Sequence, residues 1–275
     1  MNSTASKANK SKYLNIFEGI FSRDKILYSR CFYFFGLFAW SIVILAFFSF
    51  FLYFLAEPTQ PPEEVKITNI TDQSVTITWK TTKKTKGLVT FTQATTPRLL
   101  RPVSLLSLPS NNRAFDQFTD LSNLHSVTLT KLSGNTPYLY RISTGLHTYK
   151  IDVDGKILPP VVTALVLPNL ATPNPLFGQV LENNGQVPAK NTLVYLSLIN
   201  QNNQTRQSAI LSTITNNNGF YIFDLSNLRT TDLKTLPIYL PETQVLIEVE
   251  AVERGTGQLF TLAGENKTVE TIVLK

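Results

Sequence analysis

Few side chains in this chain could do chemistry. Two histidines and one cysteine are present, with nineteen acids spread along 275 residues. Zinc needs His, Cys or carboxylate donors at short, repeated spacings. His125 and His147 stand in no such spacing, and Cys31 is alone. His125 reads as the opening of a strand, where an imidazole packs or bonds locally. "IDVDGKI" (151–157) offers only Asp152 and Asp154 to a calcium loop, which needs alternating oxygen ligands closing on an acid at the twelfth position. Asp-Gly between β-branched residues is instead a hairpin turn signal. Glu248 and Glu250 alternate along one strand, which reads as the wet side of a half-buried sheet. Asn69, Asn203 and Asn266 head Asn-x-Ser/Thr triplets, a pattern expected by chance in a chain this rich in Asn and Thr. The sequence has no Gly-x-Ser-x-Gly elbow, no phosphate-cradling glycine loop and no dinucleotide fingerprint. No catalytic, cofactor-binding or metal residue is therefore expected, no cofactor is called for, and the chain reads as a non-enzyme.

The charge is as uneven as the chemistry is sparse. Residues 1–30 carry Lys7, Lys10, Lys12, Arg23, Lys25 and Arg30 against Glu18 and Asp24, a net +4 of the chain's +6. The basic character belongs mainly to this tail, so no nucleic-acid partner is expected. A single cysteine excludes an intramolecular disulfide framework, and any folded part must rely on hydrophobic cores. Cys31 could carry an acyl chain or serve as a small hydrophobe at a helix start.

The elements that frame these residues begin with an apolar run. Residues 31–56, CFYFFGLFAWSIVILAFFSFFLYFLA, hold no charge, and a helix over that stretch would exceed the ~30 Å hydrocarbon slab. A transmembrane helix is expected there, retained as a signal anchor. The basic start is long, the run is long, and Phe54 stands where a cleavage site wants a small residue. Basic residues crowd the amino-terminal flank, whereas Glu57, Glu63 and Glu64 follow the run. That asymmetry orients the amino terminus to the cytoplasm and the bulk of the chain outside. Within the tail, Tyr13, Ile16, Phe17, Ile20, Phe21, Leu27 and Tyr28 recur at helical spacing, as an amphipathic helix on the inner leaflet or against a cytosolic partner would require.

A Pro-rich stalk, 57–64, leads into alternating patterns. Segments 65–70, 74–80 and 87–92 read as strands, with Val75, Ile77 and Trp79 sharing one face. In "HSVTLTKLSGNTPYLYRI" (125–142), Val127, Leu129 and Leu132 face inward, and Tyr138, Tyr140 and Ile142 alternate after a turn. On Trp79 and the Leu132, Thr136, Tyr138 spacing, residues 65–168 resemble a fibronectin type III module. The resemblance implies that the Tyr138 hydroxyl bonds back to the chain just upstream. Gly134 departs from it, standing where that family usually has proline. Between the third strand and His125 lies a long connection, within 93–124. Lys80, Lys83, Lys84, Lys86, Arg98 and Arg101 form an acid-free stretch around its start, read as a lysine-protected strand edge with an anion-facing patch as the alternative.

Residues 169–175, NLATPNP, have linker composition. Beyond them, 176–275 give strands and hairpins only, with Val194, Leu196 and Leu198 alternating. Gly178, Val180, Gly185, Pro188, Val194, Leu196, Thr215, Gly219, Tyr221 and Phe223 resemble the carboxypeptidase regulatory-like (transthyretin-like) sandwich. Some relatives of that module join strands through a lysine-asparagine isopeptide bond; Lys190 and Asn266 are present here, neither on an apolar strand face.

The expected architecture is all-β: two tandem sandwiches behind one amino-terminal transmembrane helix, in the manner of bacterial membrane-anchored surface proteins. The expected role is structural and adhesive, at the cell membrane with the carboxy-terminal domains extracellular. Its partners would be the lipid bilayer and other envelope or surface proteins. Binding of envelope polysaccharide or peptidoglycan is the alternative.

Overall fold

The computed structural model describes residues 37–51, 60–94, 112–152, 154–168, 172–200, 205–251, 254–264 and 267–275. The chain divides into two compact units, Met1–Pro58 and Thr59–Lys275.

In the first unit, residues 37–51 form one α-helix. Apart from small residues it is built of Leu, Ile, Val, Phe and Trp, without a charge, and every residue is exposed. Ser41 returns its hydroxyl to the Phe38 carbonyl, so even this polar group is satisfied within the helix. The expected span over 31–56 is not supported at its expected length. Fifteen helical residues reach only about 22 Å, and among the described residues no helix is long and apolar enough to cross a membrane. Residues 31–36 and 52–56, like the tail 1–30, lie outside the described residues.

The second unit is all-β and contains two sandwiches. In the first, β1 (Glu63–Thr68), β2 (Val75–Thr85) and β5 (Ser122–Leu129) form an antiparallel sheet in the order β1-β2-β5. The facing sheet takes β4 (Arg113–Phe115), β3 (Gly87–Gln93), β6 (Pro137–Thr144) and β7 (His147–Tyr149) in that order, with β8 (Val161–Val162) also on β6. Period-two alternation builds the core between them: Val75, Ile77 and Trp79 from β2, Val127 and Leu129 from β5, and Tyr138, Tyr140 and Ile142 from β6. The Tyr138 hydroxyl accepts from the Ser133 amide at 2.8 Å, pinning the turn before β6 as the resemblance implied. At 151–157 the chain makes the expected hairpin. Ile151 pairs with Ile157, Gly155 takes φ +76°, and the Asp152 carboxylate accepts from the Lys156 amide.

The second sandwich pairs a sheet β12-β11-β14-β15 with one centred on β9. Its strands are β9 (Pro175–Glu182), β10 (Val187–Pro188), β11 (Leu193–Leu198), β12 (Leu211–Ile214), β13 (Phe220–Asp224), β14 (Gln244–Ala251), β15 (Gly255–Leu262), β16 (Lys267–Thr268) and β17 (Ile272–Val273). The last strands, β16 and β17, lie parallel to β9, so the module's two ends close on each other. Val194, Leu196, Leu198, Val245, Ile247 and Val249 fill the core with Leu176, Val180, Tyr221 and Phe223.

Several strands are buried on both faces, which alternation alone does not predict. All of β11 is buried, and so is β2 from Val75 to Trp79. The outer face of β1-β2-β5 packs against the outer face of β12-β11-β14. Between them lies a third apolar cluster of Phe118, Leu124, Leu193 and Tyr195, flanked by Ile210 and Ile214.

Candidate functional site

The contact between the sandwiches is the most elaborate polar arrangement among the described residues. Strands β1 and β2 contribute Lys66, Thr68, Thr76, Thr78 and Lys80; β11, β12 and β14 contribute Tyr195, Ser212 and Glu250. Each is the out-of-core neighbour of a core residue, so the alternation that sends Val75, Ile77 and Trp79 inward sends Thr76, Thr78 and Lys80 to this seam.

Glu250 is its electrostatic centre. Its side chain keeps only 12% exposure. One oxygen receives the Lys66 ammonium at 2.6 Å and lies 3.5 Å from Lys80. The other is 3.3 Å from the Tyr195 hydroxyl, which also stands 3.1 Å from Thr78 Oγ1. Lys66 further sits over the Tyr195 ring, 4.1 Å from its centroid. Glu64 closes the set at 2.8 Å from Lys80. A register shift between Glu63 and Lys66, with Glu64 at φ +48°, turns that carboxylate toward the lysine. The hydrogen bond from Lys80 holds the Glu64 carboxyl below its ordinary range, against opposing burial. Burial pulls the Lys80 ammonium down, but Glu64 and Glu250 outweigh it and hold it above the ordinary lysine value. Burial, reinforced by Glu250, pushes the Tyr195 phenol far up, so it remains a neutral donor.

Beside this cluster Asn69 imitates a strand. Its backbone amide donates to Ile210 O at 2.9 Å. Its side-chain carbonyl accepts from the Ser212 amide at 2.9 Å, and its Nδ2 donates to Ser212 O at 2.9 Å. One primary amide thus satisfies both main-chain groups of Ser212 on edge strand β12, as a neighbouring peptide unit would. The left-handed φ of +49° that presents the side chain this way suits asparagine. Thr68 and Ser212 hydroxyls add a 2.6 Å contact.

A second buried group lies inside the first sandwich. His125 is fully buried, opposite Trp79 in register and stacked on its ring at 4.8 Å. Its Nδ1 is 2.6 Å from Asp116 Oδ2, and its Nε2 faces the Thr81 and Thr85 hydroxyls at 3.1 and 3.2 Å. Since Thr81 donates to Lys83 O, Thr85 is the hydroxyl free to donate to Nε2. Asp116 Oδ1 accepts from the Ser126 and Phe118 amides. The set has the order of a proton relay, but no substrate can reach an imidazole with no exposed surface. It ties the segment after β4 onto β5. Gly87 is required beside it, because a Cβ there would fall 2.6 Å from Asp116 and 2.8 Å from Trp79.

Where the sandwiches meet at their rim, Lys84, Ser122, Asn123, Glu182, Lys190, Asn191 and Arg254 line a cleft of about 350 Å³. Arg254 donates to Glu182, to the carbonyls of Lys190 and Asn191 and to the Thr192 hydroxyl. The ammoniums of Lys84 and Lys190 project from exposed positions.

Several sequence expectations change here. The strand face of Glu248 and Glu250 is not a plain wet surface: Glu250 is half-buried in the seam, and Glu248 pairs with Arg206 at 2.6 Å. Lys80 is no solvated edge lysine but a seam ion, and Arg98 and Arg101 lie outside the described residues. His125 does not open its strand; it sits mid-strand and holds Asp116, a partner that sequence reasoning missed. The register signal was available, since inward parity with Trp79 puts the imidazole in the core. Asn69 is committed to Ser212. Lys190 is exposed, and Asn203 and Asn266 lie outside the described residues. Among the described residues no cluster of His, Cys, Asp and Glu could hold a metal ion.

No family model and no curated protein matches the sequence. Solved structures to which the chain is similar include the chicken CNTN1 FN1–FN3 domains, at 16% identity over 78% of this chain and 67% of that one, with a TM-score of 0.26. A variant of BcpA, the major pilin subunit of Bacillus cereus, is 10% identical over 79% of this chain and 70% of its own, with a TM-score of 0.22. A mutant of the shaft pilin SpaA from Lactobacillus rhamnosus GG is 10% identical over 78% and 97%, with a TM-score of 0.24.

Proposed function

We propose that this chain is a non-enzymatic structural and interaction protein, held by a single membrane pass and presenting two joined β-sandwiches outside the cell membrane. The observation that carries the reading is the seam. Lys66, Lys80, Glu250, Tyr195 and Asn69 commit the inward sheets to each other, so the outer faces and edges are left as contact surface. A fixed pair of modules suits a load-bearing or adhesive part better than a catalyst, which needs an accessible reactive group. The buried His125–Asp116 pair has none.

The membrane part of the proposal rests on the uncharged run 31–56 and on the helix 37–51, whose large apolar side chains are exposed all round. A helix apolar on every face is stable only inside a nonpolar surround. The amino-terminal lysines and arginines then stay cytoplasmic, and the sandwiches lie outside. Within the same proposal, the first sandwich is a fibronectin type III-like module, on buried Trp79 and the Tyr138–Ser133 bond. The second is carboxypeptidase regulatory-like, with its last strands, β16 and β17, paired on its first, β9. Partners are the bilayer and other envelope or surface proteins. The test is extraction of membranes at alkaline pH: the protein stays in the pellet if the reading is right, and its release into the supernatant sinks the anchor.

A second reading is favoured by the rim cleft. Its exposed lysines Lys84 and Lys190 beside Ser122 and Asn123 would suit an anionic envelope polysaccharide or peptidoglycan. Saturable pull-down of such a glycan by residues 57–275, weakened by Lys84→Glu, supports it; no retention removes it.

A further inference from the structure

The sheet β12-β11-β14-β15 treats its two edges differently. At β12 the Asn69 amide fills the main-chain groups of Ser212. At β15 the cover from the described strands lies over the first residues: Lys275 N donates to Thr256 O, and Ile272 packs near Gly257. From Gln258 to Leu262 no strand among the described residues lies on the far side.

The ladder fixes which groups are left over. Gln244 pairs with Leu262 through to Ala251 with Gly255, and in the same register Ala263 N donates to Thr243 O. Hydrogen-bonded pairs alternate in an antiparallel ladder, so Gly257, Leu259 and Thr261 turn their N–H and C=O toward β14. Gln258, Phe260 and Leu262 turn theirs outward. The side chains of these three are exposed, Phe260 at 43% and Leu262 at 42%, while Leu259 packs on the core. Natural edges are blunted by lysine, proline, a bulge or a cover. The strand GTGQLFTL has none of the residue types that do so.

We propose that β15 is a self-pairing edge: two copies of this chain join antiparallel along β15, making one continuous sheet from two four-stranded ones. The strand is its own complement. It carries no charge, so antiparallel self-pairing opposes no like charges, and the nearest acid on its face, Glu248, is already neutralised by Arg206. A two-fold axis through Phe260 matches the outward-facing residues of one copy to those of the other. Phe260 then faces Phe260 of the second copy, and Gln258 faces its Leu262. That register forms about six main-chain hydrogen bonds and a cross-strand aromatic pair. A two-fold contact is closed, which makes dimers and not fibres. The pairing does not depend on membrane anchorage, so membrane extraction and the measurement below fail independently.

The test is sedimentation equilibrium of the full chain in detergent micelles, with hydrogen exchange by residue. The expected wild-type result is a concentration-dependent dimer in which exchange at Gln258, Phe260 and Leu262 slows about tenfold or more with dimer fraction. Phe260→Lys puts two ammoniums on the axis, and Gln258→Pro removes an outward N–H while sparing the β14 ladder. Either one weakens association by about tenfold or more. Ile238→Lys, at a site 99% exposed and outside β15, leaves association unchanged. In a Trp40→Phe background, Trp79 emission reports that each variant is folded. A monomeric wild type overturns the proposal. So does a dimer untouched by both edge variants, or protection that appears only with an extended segment of another protein.

Discussion

Replacing Asn69 by alanine tests the seam where its geometry is most specific. The substitution deletes the side-chain bonds to the Ser212 amide and carbonyl and leaves both groups without a partner. Ser212 is 9% exposed, so water replaces those bonds poorly. Each loss costs about 1 to 1.5 kcal/mol. Alanine at the left-handed φ of +49° adds about 1 kcal/mol that asparagine largely avoids. The expected loss is about 3 to 4 kcal/mol, a large share of the ~5 to 15 kcal/mol that a domain has. Asn69→Gly separates the terms: it accepts the backbone angle but lacks the amide, so it is about 1 kcal/mol less harmful than alanine. Urea denaturation of Thr59–Lys275 followed by Trp79 emission gives the global number, since Trp79 is that unit's tryptophan. Hydrogen exchange at Ser212 gives the local one, with protection lost in both variants. If Asn69→Ala costs under about 1 kcal/mol and Ser212 exchange is unchanged, the strand-mimic account is wrong.

Glu250→Gln strips Lys66 and Lys80 of their shared carboxylate. At 12% exposure the cost is expected between that of a surface pair and a buried one, about 1 to 3 kcal/mol, and a double-mutant cycle with Lys66→Met should return a coupling of the same sign. With Glu64 held below its ordinary 4.5, its contribution is complete above that value and fades as pH falls through the lower folded-state value. Lys80 is held above 10.5, so its contribution is complete below that pH and fades as pH rises through the higher folded-state value. Melting temperature against pH should therefore drop at both extremes, and less steeply in Lys80→Met; identical curves refute the assignment. The Tyr221 hydroxyl is buried without a partner among the described residues, so Tyr221→Phe should be neutral or stabilising by up to ~1 kcal/mol. Gly178→Ala, whose Cβ would meet that hydroxyl at 2.5 Å, should cost about 1 to 3 kcal/mol and be rescued in part by Tyr221→Phe. Thermal denaturation of the four proteins decides it.

Alternation was enough to find the cores. Trp79 with Val75 and Ile77, and Val194 with Leu196 and Leu198, lie where period-two patterning placed them. The Tyr138 bond is what the fibronectin type III resemblance implied, and the 151–157 hairpin followed from an Asp-Gly turn. These features are decided within a few residues, where a side chain's size and its backbone preference settle the outcome. The uncharged composition of 31–56 is likewise explicit, although the described helix accounts for residues 37–51 alone.

The other faces of the same strands were not legible. Thr76, Thr78, Lys80 and Glu250 have the composition of a solvated surface, and they become a buried seam only because a second sheet is laid over them. Asn69 looked like a chance triplet until Ser212, far along the chain, arrived to be capped. His125 needed Asp116, nine residues earlier and inside the long connection. The sequence by itself therefore determined the main core strands and which face of each makes its own core, because burial of apolar area is a local and additive property of the pattern; β4 (Arg113–Phe115), inside the stretch read as a connection, was not among them. Only the tertiary structure decided what the polar faces and edges do, because an ion pair or a shared ladder depends on the position of a partner that one strand's pattern does not encode.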